Sequence, residues 1–368
     1  MITFDKIFTF SYQMSLWKPD LLPYPNDLET RPVLKKLAQA HRALGELKGI
    51  SSSIPNDIIL INTLGLQEAK DSSAIENIIT TQDEVFKSAL QVDAIQSSAA
   101  KEVQNYAAAL RHGFEMVNQH QLLTNNHILE IQKKLQVNNA GFRKLPGTSL
   151  KNAQTGDVVY VPPQHPDEIK TLMENLESFI NNDSISEIDP LIKMAIIHFQ
   201  FESIHPFYDG NGRAGRIINI LYLVQKKLLD LPILYLSRYI IKNKAAYYNG
   251  LQNIRDRGEW ETWILYMLEA VLETSTETTS LINRMKILMM QYKHRIRRDY
   301  KFYSQDLLNN LFKHPYTKIE FLENDVGISR ITAANYLNKL AEDGLLEKHR
   351  LGTSNYYINK PLFELFSS

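Results

Sequence analysis

Apolar side chains recur at helical spacing over most of this chain. Val33, Leu34, Leu37, Leu44 and Leu47 form a first stripe. Residues 51–56 interrupt it, and a second helix is predicted from Asp57 to about Leu66. Val103, Tyr106, Ala107, Leu110, Phe114 and Val117 follow the i, i+3, i+4, i+7 pattern closely. Ile128, Ile131 and Leu135 share a face behind a cap at Asn125 or Asn126, and Ile169, Leu172, Met173, Leu176 and Phe179 mark a helix starting near Asp167 or Glu168. Asp189 followed by Pro190 is a cap and first-turn signal for the strongly apolar run LIKMAIIHFQF. Pro19, Pro23 and Pro25 make residues 1–30 read as an extended arm lying on the body. The helical rhythm breaks at residues 139–163, where Gly141, Gly147 and Gly156 separate short β-branched and aromatic runs; this segment predicts a β-hairpin.

The C-terminal part has a different pattern. Residues 304–312, 318–324 and 329–342 read as three helices, the last capped by Ser329, and two short strands follow around Gly352. That order is a winged helix-turn-helix. The fold class predicted is all-α: a helical core with one β-hairpin, joined by a basic helix to a small C-terminal winged-helix domain.

Composition sharpens this in two ways. Gly (15) and Pro (14) make up about 8% of the 368 residues, below the roughly 12% of average usage, which favours long helices over a turn-rich sandwich. The chain has no Cys, which excludes a disulfide scaffold, a thiolate zinc site and a cysteine nucleophile. Lys+Arg and Asp+Glu balance at 41 each, so no global charge calls for a nucleic-acid partner. Locally, residues 284–301 hold seven Lys or Arg and one acid, Asp299, whereas residues 302–368 hold seven basic and eight acidic residues. A slightly acidic winged helix is a poor DNA reader, so DNA is disfavoured as a partner, and protein docking or dimer packing is the preferred role. Asp5 and Lys6 spoil a signal-peptide core, and the richest apolar run, LPILYLSRYII, is broken by Arg238. A cytoplasmic protein without membrane attachment is expected.

The densest chemistry lies in residues 204–216, IHPFYDGNGRAGR. Gly210, Asn211 and Gly212 can present successive backbone N–H groups in an anion nest, and the helical run after them adds its dipole. Arg213 and Arg216 fall on one face of the first turn and can point at one polyphosphate. Asp209 is placed to hold Mg2+ against phosphate oxygens. His205 is the base of the cluster that titrates nearest neutral pH. A base, a metal ligand, a nest and two arginines within twelve residues suit the movement of part of a nucleoside triphosphate.

HPFYDGNGRAGR resembles the signature of the Fic family at every specified position of H-x-F-x-D-G-N-G-R-x-x-R. GFRKLPG, the hairpin ending in YVPP, HFQFESIHPF and KNKAAYYNGLQNIRDRGEWETWILYML extend the likeness over roughly residues 30–275. The resemblance implies a protein adenylyltransferase that moves AMP from ATP to a Ser, Thr or Tyr hydroxyl of a target protein, or of itself, and releases pyrophosphate. In that reading His205 is the base and Phe207 an apolar anchor for the loop. Asp209 holds Mg2+, and Gly210, Asn211 and Gly212 form the anion hole. Arg213, Ala214, Gly215 and Arg216 complete the phosphate site, and Tyr248 lines the adenine pocket. The hairpin at 149–161 resembles the flap that pins a target segment by strand addition. The chain then divides into an N-terminal helical region (1–100), a Fic core (101–275), a basic connecting helix (276–301) and the winged-helix domain (302–368).

Ser72, Glu76 and Asn77 match the family's inhibitory pattern S/T-x-x-x-E-G/N. A helix carrying Glu76 would offer its carboxylate to Arg216 as a bidentate pair, denying that arginine to the γ-phosphate. Ser73 and Glu76 also have capping-box spacing at a helix start. Alternatives to ATP-dependent transfer are a DNA-binding regulator, a Fic enzyme that uses another nucleotide, and one that removes AMP. A homodimer is compatible with such a helical body.

Overall fold

The computed structural model describes residues 17–24, 27–90, 97–151, 155–351 and 354–367, and the structural statements below concern these. In chain order the first part comprises α1 (Arg31–Ser51), α2 (Asp57–Ile75), α3 (Gln82–Ser88), α4 (Ser98–His120), α5 (Asn125–Gln136), a hairpin of β1 (Leu150–Lys151) and β2 (Val158–Tyr160), α6 (Pro166–Asn181), α7 (Pro190–Ile204), α8 (Asn211–Gln225), α9 (Leu236–Lys242), α10 (Lys244–Arg257) and α11 (Trp260–Asp299). The C-terminal part comprises α12 (Gln305–Lys313), β3 (Tyr316–Lys318), α13 (Ile319–Val326), α14 (Arg330–Glu342), β4 (Glu347–Leu351), β5 (Ser354–Ile358) and α15 (Lys360–Ser367).

Helix α7 is the centre of the body. Every side chain from Leu191 to Ile204 is buried, as a helix apolar on all faces must be. Asp189 caps it, accepting the Leu191 N–H at 2.8 Å. Helix α8, buried along nearly its whole length, packs beside it. The N-terminal arm lies on α6 and α7: Trp17 meets Phe199 edge-on, Leu22 N–H donates to Asn175 Oδ1 at 2.8 Å, and Tyr24 Oη donates to Gln200 at 2.6 Å.

Helix α2 runs unbroken from Asp57 to Ile75, past the end at Leu66 predicted from spacing. It is packed by α4, α9 and α12, so apolar and small polar residues are buried around most of its circumference and leave no single stripe to follow. Helix α11 likewise runs straight through residues 275–276, where the sequence suggested a boundary; its exposed Arg284, Lys286, Arg297 and Arg298 form a solvated face.

The C-terminal unit has the predicted order of three helices and a hairpin, with two additions. Strand β3 pairs antiparallel with β5, giving a three-stranded sheet of order β3-β5-β4, and α15 closes the chain. This unit docks on α3. Tyr316 Oη donates to Asp83 Oδ1 at 2.6 Å, Lys318 Nζ donates to Leu90 O at 3.1 Å, and the Phe86 ring contacts Tyr316, Phe363 and Phe366. No described helix is long and apolar enough to cross a membrane.

Candidate active site

The residues after α7 are folded by their own hydrogen bonds. His205 ends the helix in the left-handed region (φ +50°), and its N–H donates to Phe201 O at 2.9 Å. Arg143 fastens this corner from the loop before the hairpin. Its Nε donates to His205 O at 2.7 Å, its Nη2 donates to Pro163 O at 2.6 Å, and its N–H donates to Pro206 O at 2.8 Å. Phe207 is buried between Phe142 and Phe201. Asn211 clamps the loop, its Oδ1 accepting Phe207 N–H at 2.9 Å and its Nδ2 donating to Phe207 O at 2.8 Å. The Asn211 side chain is therefore committed to the loop, and what it offers an anion is backbone N–H.

Gly210 takes φ +75°, and a Cβ there would lie 2.5 Å from Gln136 Nε2. It precedes α8, whose first turn leaves backbone N–H groups without intrahelical partners. At Gly212 a Cβ would lie 2.3 Å from Glu76 Oε1 and 3.0 Å from Arg216 Nη1. Glycine is thus what allows the Glu76 carboxylate to sit against the helix start. Gly215 gives similar clearance to Glu202, and Ala214 is buried in the helix interface.

Arg216 is buried and points back to the end of α2. Its Nε donates to Ser72 Oγ at 2.8 Å, and its Nη2 donates to Ser72 O at 3.0 Å and to Glu76 Oε1 at 2.9 Å. The two-nitrogen grip expected on Glu76 falls on Ser72 instead, and Glu76 receives one hydrogen bond, because Ser72 and Glu76 lie one turn apart on the same face. Glu76 terminates α2, which rules out the capping box at a helix start. Asn77 takes φ +62°, its N–H donates to Ala74 O, and Ile78 N–H donates to Ser73 O, both at 3.0 Å. This is a Schellman closure, and it explains the alternation of Gly and Asn after the glutamate, the two residues that tolerate the left-handed position.

Arg213 diverges from Arg216. Its Nη1 donates to Glu102 on α4, and its Nη2 lies 3.8 Å from Asp209 Oδ2. Both arginines are thus held by acids, on different elements. Asp209 accepts Gly210 N–H at 2.7 Å and is 78% exposed. The described residues hold no cluster of three or more acids or histidines suited to a metal.

Electrostatics keep the histidines neutral. Burial, reinforced by the charges of Arg143 and Arg255, pushes His205 down to about 4, and its Nδ1 has no hydrogen-bond partner. His198 beneath it falls to about 3 through burial and Arg216. Burial opposes ionisation of Glu76, but the charge and hydrogen bond of Arg216, with Arg213 and Lys244, outweigh it and hold the carboxyl below its usual range. Glu202 goes the other way: burial lifts it to about 7. Tyr248 is 46% exposed and packs edge-on against Tyr247. The buried core tyrosine is its neighbour Tyr247, bound to His198 Nε2 at 2.7 Å.

The structure therefore gathers His205, Asp209 to Arg213, Arg216, Ser72 and Glu76 at one helix start, with Tyr248 beside it. Sequence reasoning missed Glu102, Arg143 and Glu202. Arg143 stood inside GFRKLPG, but nothing in its spacing foretold a contact with residue 205. The hairpin lies in the predicted place with Leu150 opposite Tyr160, and residues 152–154 of the expected flap lie outside the described residues.

Residues 34–115 match the Fic/DOC family N-terminal region, residues 122–223 the Fic/DOC family domain, and residues 288–362 the C-terminal domain of SoFic-like protein adenylyltransferases. The chain is similar to Protein adenylyltransferase Fic of Aedes aegypti, 23% identical over 191 residues, which is 52% of this chain and 36% of that protein. It is also similar to Protein adenylyltransferase Fic of Drosophila erecta, 29% identical over 96 residues, 26% of this chain and 19% of that protein. The similarity thus spans about a third or less of these curated relatives. A crystal structure of a Fic family protein from Desulfovibrio desulfuricans superposes with a TM-score of 0.59 at 22% identity, covering 92% of this chain and 98% of that one. At that identity the likeness is one of fold.

Proposed function

This chain belongs to the Fic family, and from that premise we propose that it is a protein adenylyltransferase held in an inhibited state by its own second helix. A target hydroxyl attacks the α-phosphorus of ATP, its proton passes to a free ring nitrogen of His205, and the bond from the α-phosphorus to the pyrophosphate oxygen breaks. His205 is fit to accept the proton because it is neutral at physiological pH. The N–H groups at the start of α8 receive the charge that develops on the phosphoryl oxygens. Arg216, once free of Glu76, and Arg213 bind the distal phosphates.

A divalent cation such as Mg2+ suits Asp209, whose solitary exposed carboxylate fits a metal bound mainly through substrate phosphates. When bound, it supplies positive charge to the departing pyrophosphate. Among the described strands β1 and β2 pair only with each other, so the hairpin has an open edge on which an extended target segment can add.

The observation that carries this reading is Arg216 held by Ser72 and Glu76 beside His205. Purified wild-type, Glu76→Gly and Glu76→Gly/His205→Ala proteins incubated with Mg-ATP and analysed by intact mass test it. Glu76→Gly is expected to gain AMP faster than wild type, and the double variant to gain none while still binding ATP. Equal labelling with and without His205 would overturn the mechanism, and parallel incubations with GTP, CTP and UTP test adenine selectivity.

A further inference from the structure

Helix α7 stops at His205, and the carbonyl groups of its last turn have no donors within the helix. Side chains from the hairpin and its flanks take that place. Tyr160 on β2 is buried, and its Oη donates to Ser203 O at 2.9 Å. Arg143, ahead of the hairpin, donates to Ile204 O at 3.4 Å as well as to His205 O and, beyond β2, to Pro163 O. Arg255 on α10 completes the joint. Its guanidinium lies 4.1 Å over the Tyr160 ring, and its Nη2 donates to Ser203 Oγ at 3.3 Å. Trp17 of the N-terminal arm packs on both Tyr160 and Phe199.

A guanidinium buried this far is ordinarily paired with a carboxylate. Arg255 is 8% exposed, has no ion pair among the described residues, and is committed instead to a ring on the hairpin and a hydroxyl on α7. A cation there complements the negative end of the α7 dipole, and a planar guanidinium can stack and donate at once. The two halves of the proposed reaction lie on either side of this joint. A target segment added to the hairpin edge takes its position from β2, whereas His205 takes its position from the last turn of α7. Misplacing reacting groups by about 1 Å can cost about a hundredfold in rate.

We propose that Arg255 and Tyr160 are positioning residues: they lock the hairpin to the last turn of α7, so that a hydroxyl carried on the hairpin meets His205 at reacting distance. The link is read from contacts alone; its use in AMP transfer rests on the adenylyltransferase reading. Hydrogen exchange of the full chain, followed by mass spectrometry, tests the link without reference to activity. In Arg255→Met and in Tyr160→Phe, exchange is expected to quicken together at residues 155–163 and 203–209, with α1 and α11 as protected as in wild type. Exchange unchanged at the hairpin, faster there but not at 203–209, or faster throughout the chain overturns the link. In the Glu76→Gly background, Arg255→Met is expected to lower the maximal self-labelling rate about ten- to hundredfold and to leave the half-saturating ATP concentration within about twofold. Tyr160→Phe, which keeps its ring beneath the guanidinium, should lose less, and Arg255→Lys, which keeps the charge and a donor, should recover part of the rate. An unchanged maximal rate, a loss that appears in the ATP dependence instead, or Arg255→Lys as slow as Arg255→Met overturns the positioning role. Should Glu76→Gly not label at all, the adenylyltransferase reading fails while hydrogen exchange still decides the link.

Discussion

Asn77 is the residue on which the position of the Glu76 carboxylate, the proposed inhibitory group, depends, and it can be perturbed without touching either charged partner. Its φ of +62° places it in the left-handed region, where it closes α2 with two hydrogen bonds of 3.0 Å, Asn77 N–H to Ala74 O and Ile78 N–H to Ser73 O. Glycine accepts this conformation without cost, whereas a side chain branched at Cβ meets a carbonyl oxygen there, a penalty of about 1–2 kcal/mol or more. In Asn77→Val that penalty is relieved by opening the closure, which frees Glu76 from its place against Gly212. If opening is what exposes Arg216, 1–2 kcal/mol raises the open population, and with it the labelling rate, by about 5- to 30-fold while the open form remains a minority. Asn77→Gly keeps the closure and loses only the exposed Lys244 Nζ to Asn77 Oδ1 contact of 3.3 Å, so its rate should stay within about twofold of wild type. Initial rates of AMP incorporation by intact mass, with circular dichroism to verify folding, make the comparison. A folded Asn77→Val that labels at the wild-type rate, or an Asn77→Gly as fast as Asn77→Val, would refute the reasoning.

Three further perturbations follow from the site. Glu102→Gln in the Glu76→Gly background releases Arg213, and ATP affinity by calorimetry should tighten by about three- to tenfold, a modest gain because Glu102 is partly exposed; unchanged or weaker affinity would show that Glu102 only positions the arginine. Arg143→Met leaves the carbonyls of His205 and Pro163 without their buried donor, so it should cost about 2 kcal/mol or more in urea unfolding and slow labelling more than it weakens ATP binding. Glu202 is lifted to about 7 from an ordinary value near 4.5. The folded chain therefore holds a proton there that the unfolded chain releases, and its contribution to stability is lost as pH rises from about 4.5 through 7. The difference in Tm between Glu202→Gln and wild type should accordingly move in favour of the variant from pH 5 to pH 8, and a difference independent of pH would place the proton elsewhere.

The helical body, the hairpin and the order of elements in the C-terminal unit were legible because each rests on local spacing. The loop from His205 to Arg216 was legible for a different reason: many specified residue types fall within one short stretch. What stayed hidden depends on contacts between distant positions. The full extent of α2 escaped because a helix buried on several sides shows no stripe. Strand β3 spans three residues and exists only through its pairing with β5. Glu102 precedes its partner by 111 residues, and no motif joins them. Arg213 and Arg216 fall on one face of the first turn, as helical geometry predicts. What that spacing could not foretell is that α4 supplies an acid to one arginine and α2 an acid to the other.

The way α2 is held also limits how the proposed inhibition can be lifted. In its second half Glu68 is fully buried with three hydrogen bonds, and one turn on Ser72 takes two bonds from Arg216. Beyond its tip, α3 is fastened to the C-terminal unit by Asp83 and Phe86. Sliding the whole helix would expose Leu60, Leu64 and Ala69 and leave Glu68 without its donors, a loss of several kcal/mol from apolar area and polar desolvation together. Releasing the tip alone breaks one hydrogen bond to a partly exposed carboxylate and a two-bond closure, each worth about 1–2 kcal/mol net. The cheaper motion is therefore a local opening at residues 76–78 with the body of α2 in place. Of these fastenings, the grip of the C-terminal unit on α3 is the one that adjoins the moving segment, so tightening it resists the opening, and loosening it is the route by which a partner of the C-terminal unit could promote it.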